Sequence, residues 1–250
     1  HHPYGTQTVL GTQEDLKNPS ITNIKEYYKK WYVPNNMAIC LSGDFDPDQM
    51  IATIDKYFGG LKPNPDLPKL DLPKETPMTA PVVREILGPD AESVALAWRF
   101  PGAADKDVET LQVVSQILYN GQAGLIDLDL TQQQKTLSAY CYPMTMSDYS
   151  AFMMQGRPKQ GQTLDEVKDL LLGELKKLRE GDFDEKMLEA NINNFKLYQM
   201  QQLENNDARA DMFVESFVNG SDWADEVTAL DRMSKLTKDD IVAFANKYLK

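Results

Sequence analysis

The sequence predicts an α+β fold, a mainly antiparallel sheet covered by helices. Three observations carry that reading. Apolar runs of strand length, bounded by Gly, Pro, Asn and Asp, come before a long helical stretch from Thr163 to Lys250. The strand candidates follow one another as hairpins, without the regular strand–helix alternation of a parallel sheet. Hydrophobic residues make up 42% of 250 residues, enough for a real core and too many for a disordered acidic chain.

Residues 1–18 read as an irregular lead-in. Ser20 then offers an N-cap, followed by Ile24, Tyr27, Tyr28 and Trp31 at helical spacing. Pro34, Asn35 and Asn36 end that helix, and Met37–Leu41 fits a short buried strand closed by Ser42-Gly43-Asp44. A second helix starts near Pro47 with Met50, Ile51, Ile54, Tyr57 and Phe58 on its apolar face, and Gly59-Gly60 stops it. Residues 62–81 hold six of the fourteen prolines; proline fixes φ and donates nothing to a ladder, so the stretch reads as an extended linker.

Beyond it, Val82–Leu87 and Ser93–Phe100 are expected strands, Val108–Tyr119 and Gly124–Gln134 helices, and Leu137–Met144 with Tyr149–Gly156 a hairpin around Ser147-Asp148. Five helices complete the chain: Leu164–Arg179, Asp184–Glu204, Asp207–Val218, Asp222–Met233 and Thr237–Leu249. The segment from Ser20 to Trp31 can be laid on that from Thr237 to Tyr248. Ser20 meets Thr237 as N-cap, Ile24 meets Ile241, Tyr27 meets Phe244 and Trp31 meets Tyr248. Two helices of one design point to a duplicated domain, with chance helix similarity as the alternative.

The formal charge is −12, which disfavours a nucleic-acid or anionic-membrane binder, since phosphate surfaces are neutralised by clustered Lys and Arg. No run approaches 18 apolar residues and the first residues are polar, so neither a membrane span nor a signal peptide is expected. Cys40 and Cys141 are too few for a disulfide scaffold or a four-Cys zinc site. The two histidines, His1 and His2, are adjacent, so they diverge on either a strand or a helix and cannot make a two-His zinc site with the usual third ligand. On its residues alone the chain looks catalytically empty.

Asp44-x-Asp46-x-Asp48 with Asp55 superficially suits a calcium loop, but Gln49 replaces the required Gly and Pro47 opens a helix, so helix capping explains the cluster better. Asp127 and Asp129 are expected on a solvated face, as are the mixed charges of Leu164–Arg179. Tyr140, where a helix feeds a strand, is either core or a placed aromatic hydroxyl.

Several segments together resemble the insulinase/pitrilysin-like zinc metallopeptidases, which include mitochondrial processing peptidase. They are His2-Pro3-Tyr4-Gly5, Leu16-x-Asn18-Pro19-Ser20-Ile21, Tyr32-x-Pro34-Asn35-Asn36-Met37, Leu41-Ser42-Gly43-Asp44 and Ile54-Asp55-Lys56-Tyr57-Phe58-Gly59. Phe100-Pro101-Gly102, Ile117-Leu118 and Leu137-Ser138-Ala139-Tyr140 are weaker matches further on. The resemblance implies processing-peptidase-like domains paired around a chamber. It makes residues 1–61 the C-terminal half of a catalytic-type first domain, 62–81 the linker, and 82–250 a non-catalytic companion truncated at its end.

The family's H-x-x-E-H motif precedes the part matched here, so zinc is implied in a parent protein, bound outside this chain, with none held by His1 or His2. The family's substrate-holding Tyr falls on Tyr140, while its Arg falls on Gln133, a departure that removes a cationic donor. The implied function is the non-catalytic portion of a zinc-dependent endopeptidase, forming chamber wall and substrate support. Its partners would be the rest of its own polypeptide or a homologous catalytic subunit, and a peptide substrate. Alternatives are a catalytically inactive member serving as partner or scaffold subunit, and an unrelated α+β binding module. The compartment is not readable; a soluble protein of the periplasm or another non-cytoplasmic compartment is compatible.

Overall fold

A computed structural model describes residues 2–250 and divides the chain into two compact units, with the boundary between Gly88 and Pro89. His1 lies outside the described residues.

The first unit contains α1 (Pro3–Thr6), α2 (Gln13–Lys17), α3 (Ile21–Trp31), a 3-10 turn (Pro34–Asn36) and α4 (Pro47–Phe58). The expected irregular lead-in is therefore partly helical. Pro3 opens α1 and His2 Nδ1 accepts the Tyr4 N–H, while Thr12 and Asp15 close a capping box on α2. Such short turns rest on caps rather than on apolar periodicity, the signal used to read the longer helices. Ser20 caps α3 as expected, its hydroxyl accepting from the Asn23 N–H.

Met37–Leu41 and Val82–Leu87 are corrections. Neither joins a ladder; both run without regular structure, and Ile39, Leu41, Ile86 and Leu87 are exposed. A strand exists only through its neighbours, and the paired strands of the described chain all lie in the second unit. Residues 62–81 carry neither helix nor strand. They are tied down at Asn64, whose N–H and C=O bond the Asn35 side chain at 2.9 and 2.8 Å, and at Glu75, which accepts from the His2 N–H at 2.6 Å.

The second unit holds β1 (Val94–Pro101), α5 (Lys106–Leu118), a π-helical turn (Asp127–Thr131), β2 (Ser138–Met144) and β3 (Tyr149–Arg157). It closes with α6 (Leu164–Glu180), α7 (Glu185–Leu203), α8 (Asn206–Asn219), α9 (Trp223–Met233) and α10 (Lys238–Tyr248). The sheet is antiparallel in the order β1-β3-β2, with Trp98 opposite Phe152 and Tyr140 opposite Gln155. One face carries Phe100, Phe152, Met154, Ala139 and Cys141 into a core completed by α5, α6 and α10. Gly156 of β3 lets α6 lie close, since a Cβ there would stand 2.5 Å from Val167 Cγ1.

The expected helix over Gly124–Gln134 is shorter, α-helical only at 125–126 before the π turn, and Gln134 turns out of it with φ at 52°. Meanwhile α3 and α10 match in length and cap, as the internal repeat predicts, but not in surroundings. Ile241 and Phe244 of α10 are buried, and the Phe244 and Tyr248 rings pack on Phe100 at 5.8 and 4.8 Å. Their counterparts Ile24 and Tyr27 on α3 are 54% and 61% exposed.

Candidate functional site

The alternation that sends Ala139 and Cys141 inward sends Tyr140 and Tyr142 to the opposite face of the sheet. The β2–β3 register then sets Gln155 across from Tyr140 and Met153 across from Tyr142. The Tyr140 hydroxyl donates to Gln155 Oε1 at 2.5 Å, and Gln155 Nε2 donates to the Tyr142 hydroxyl oxygen at 3.4 Å. The two phenol rings stack with centroids 6.1 Å apart, and Tyr119, just after α5, extends the row at 6.3 Å from Tyr140. Tyr140 is thus neither core nor freely solvated: it is half-buried and its hydroxyl is held.

The segment leading into β2 is organised by two carboxylates. Asp127 is 4% exposed, and its Oδ2 accepts the N–H groups of Asn120, Gly121 and Gly124 at 3.0, 3.1 and 2.9 Å. That single oxygen shapes the loop between α5 and the π turn. Asn120 in turn donates to Asn191 of α7 at 3.3 Å. Asp129 accepts from Lys177 Nζ at 2.7 Å, and Lys177 also bonds both carboxylate oxygens of Glu174 at 3.0 and 3.1 Å. The expected solvated faces are corrected here, because Asp127 and Glu174 are both buried. Burial pushes the Glu174 carboxyl above the usual carboxylate range, against the pull of Lys177. Burial works against the Lys177 charge, but hydrogen bonds to Asp129 and Glu174 outweigh it and raise the ammonium. Gln133 is exposed on the same turn and donates to Asp129 Oδ1 at 3.4 Å, so its bond goes to Asp129 while that of Tyr140 goes to Gln155.

Sequence reasoning missed Gln155 and the buried roles of Asp127 and Glu174. Strand register assigns the first; nothing in local sequence marks the other two, since Asp127, two residues from Asp129, and Glu174, in a mixed-charge helix, both read as surface until the chain packs over them. Elsewhere, burial pushes the Cys141 thiol up to about 12, leaving it inert as a nucleophile.

The donors present do not fit zinc. Among the described residues no three His, Cys, Asp or Glu side chains gather as a metal site, and Asp129 of the turn and Glu174 of α6 already share the Lys177 ammonium. His2 spends Nδ1 capping α1. Among the same residues, no helix is long and apolar enough to cross a membrane.

The family described as Peptidase M16 inactive domain matches residues 20–195, and the chain belongs to that family of insulinase-type peptidases. It is 25% identical to Zinc protease PqqE of Helicobacter pylori over 256 residues, covering all of this chain but 57% of the relative. A shorter stretch of 73 residues is 29% identical to a probable mitochondrial-processing peptidase subunit beta of Schizosaccharomyces pombe, covering 29% of this chain and 16% of that protein. The fold matches the crystal structure of a protease from Helicobacter pylori with a TM-score of 0.84 at 23% identity, over 96% of this chain and 58% of that one. It also matches the peptidase M16 inactive domain from Pseudomonas fluorescens with a TM-score of 0.79 at 17% identity, over 96% and 57%. The chain therefore spans little more than half the length of the Helicobacter and Pseudomonas proteins it matches.

Proposed function

We propose that this chain forms the non-catalytic portion of a zinc-dependent endopeptidase, serving as chamber wall and substrate support. In this reading residues 1–61 complete a catalytic-type domain, 62–81 link it onward, and 82–250 form the companion domain. The zinc and its general base belong to polypeptide outside the chain, either the same protein or a homologous catalytic subunit. Tyr140 faces the peptide from the open side of the sheet, with Gln133 at the neighbouring turn in place of a cationic donor.

The observation that carries the reading is the contrast between two helices of one design. The Ile241/Phe244/Tyr248 face of α10 is covered by a sheet strand and α6, while the equivalent Ile24/Tyr27 face of α3 stands open together with Met37, Ile39 and Leu41. An apolar face built to sit on a sheet calls for one. Membership of the inactive-domain family and the zinc-protease relatives support the same assignment.

The test is peptide hydrolysis with zinc supplied. The chain alone is expected to cleave nothing and to hold no stoichiometric zinc, and the full-length protein or its catalytic partner is expected to do both. Zinc-dependent cleavage by the chain alone overturns the proposal. A stable assembly that neither binds zinc nor cleaves assigns the chain to a scaffold instead.

A further inference from the structure

We propose that the outer surface of the α7–α8 hairpin is a self-association surface, on which a second copy of this chain packs across a two-fold axis in a four-helix contact.

Both helices already spend one face on the fold. Leu188, Ile192 and Phe195 of α7 pack on the core, and Ser216 of α8 is buried. The rest of such a helix is polar where water is its only neighbour. Here Leu197, Met200 and Leu203 of α7 and Val214, Phe217 and Val218 of α8 instead stand 42–67% exposed. They recur three or four residues apart, so each helix carries them as a stripe. Together they leave on the order of 500 Å² of apolar surface open. That matches the largest apolar patches of ordinary monomers, which commonly mark interaction sites.

Composition and charge point to the occupant. Residues 190–203 hold one charged side chain, Lys196, and residues 212–220 one, Glu215, in a chain of net charge −12. A surface with Phe and Met and little charge has the make-up of an interface core. Its near-neutrality matters most for a second copy, because two chains of −12 repel each other elsewhere. Lys196 and Glu215 have opposite signs and sit on different helices. A two-fold that sets α7 of one copy against α8 of the other therefore brings unlike charges together, and does so twice. The area agrees. A standard interface buries about 800 Å² on each partner, about 65% of it apolar at the core, close to what the six side chains offer. The open sheet face stays free in such a dimer, since α7 packs on α5, and α5 in turn on β1 and β2.

The experiment is sedimentation velocity of the full chain from about 1 to 100 µM, a range that resolves a micromolar dimer. Wild type is expected to pass from one copy to two and stop there, as a closed two-fold contact requires. Met200→Glu and Val218→Glu each place an unpaired carboxylate in the contact and are expected to weaken association about a hundredfold. Tyr27→Glu on α3 of the first unit changes a side chain that is just as exposed, and is expected to leave association unchanged. Thermal unfolding checks the fold of each variant, and if one of the two hairpin variants fails to fold, the other reads the same contact. The proposal is overturned by a wild type that stays monomeric at the highest concentration, or by a mass that climbs beyond two copies. Association that survives the hairpin variants, or that Tyr27→Glu abolishes, overturns it equally.

Discussion

Asp127→Ala should be among the most damaging single substitutions in the second unit, although it removes only a carboxylate that looks from sequence like a surface group. The side chain gathers three backbone N–H groups onto one oxygen. Without it the fully enclosed Gly124 N–H loses its acceptor at about 1–3 kcal/mol, and the two half-enclosed donors, which can recruit water, add about 1 kcal/mol each. The expected total is about 3–5 kcal/mol, well above the usual cost of a surface change. Urea unfolding can be followed by Trp98 and Trp223, both in the second unit, in a Trp31→Phe background. With a slope of about 2 kcal/mol per molar, the midpoint should fall by about 1.5–2.5 M at unchanged slope. Asp127→Asn keeps one acceptor oxygen and should fall between the two. A loss below about 1 kcal/mol for the alanine variant would refute the idea that this carboxylate organises the loop beside Tyr119 and Tyr140.

Gly156→Ala should destabilise by about 1–3 kcal/mol in the same assay, because the new methyl meets Val167 where α6 lies against β3; a neutral outcome would mean α6 is free to shift. Glu174→Gln tests the buried carboxylate by pH. A carboxyl raised on folding binds its proton more readily in the native chain than in the unfolded one, so the stability it contributes is fullest in acid and falls as pH rises above its ordinary value of 4.5. The glutamine variant mimics the protonated form, so it should gain on wild type at pH 7 and lose that advantage toward pH 4. A variant that instead loses ground at pH 7 would show that the bond to Lys177 outweighs the cost of burial. Thr237→Ala, which removes the capping hydroxyl of α10, should cost about 1 kcal/mol in Tm-derived stability.

The second unit was legible because its elements carry their own signals. The Ser147-Asp148 turn between two alternating runs fixed the β2–β3 hairpin, and Thr237 announced its helix as a cap, while Thr163, Asp184 and Asp222 cap helices whose starts the apolar pattern had placed to within a residue. Tyr140 was legible by position but not by environment, because Gln155 reaches it only through cross-strand register. Asp127 and Glu174 were misread for a related reason: local spacing reports which face of a helix a residue takes, not what packs over that face. Met37–Leu41 has the composition of a strand, yet pairing is a property of two segments, and none of the described residues pairs with it.

Native-state amide hydrogen exchange tests most directly whether the first unit is half of a domain. In the isolated chain the amides of α10, whose Ile241 and Phe244 are enclosed, should exchange only through near-global opening of the second unit. Those of α3 should exchange orders of magnitude faster, and become as slow as α10 when the full-length protein is measured. Strong protection of α3 already present in the isolated chain, equal to that of α10, would contradict the proposal that another polypeptide completes it.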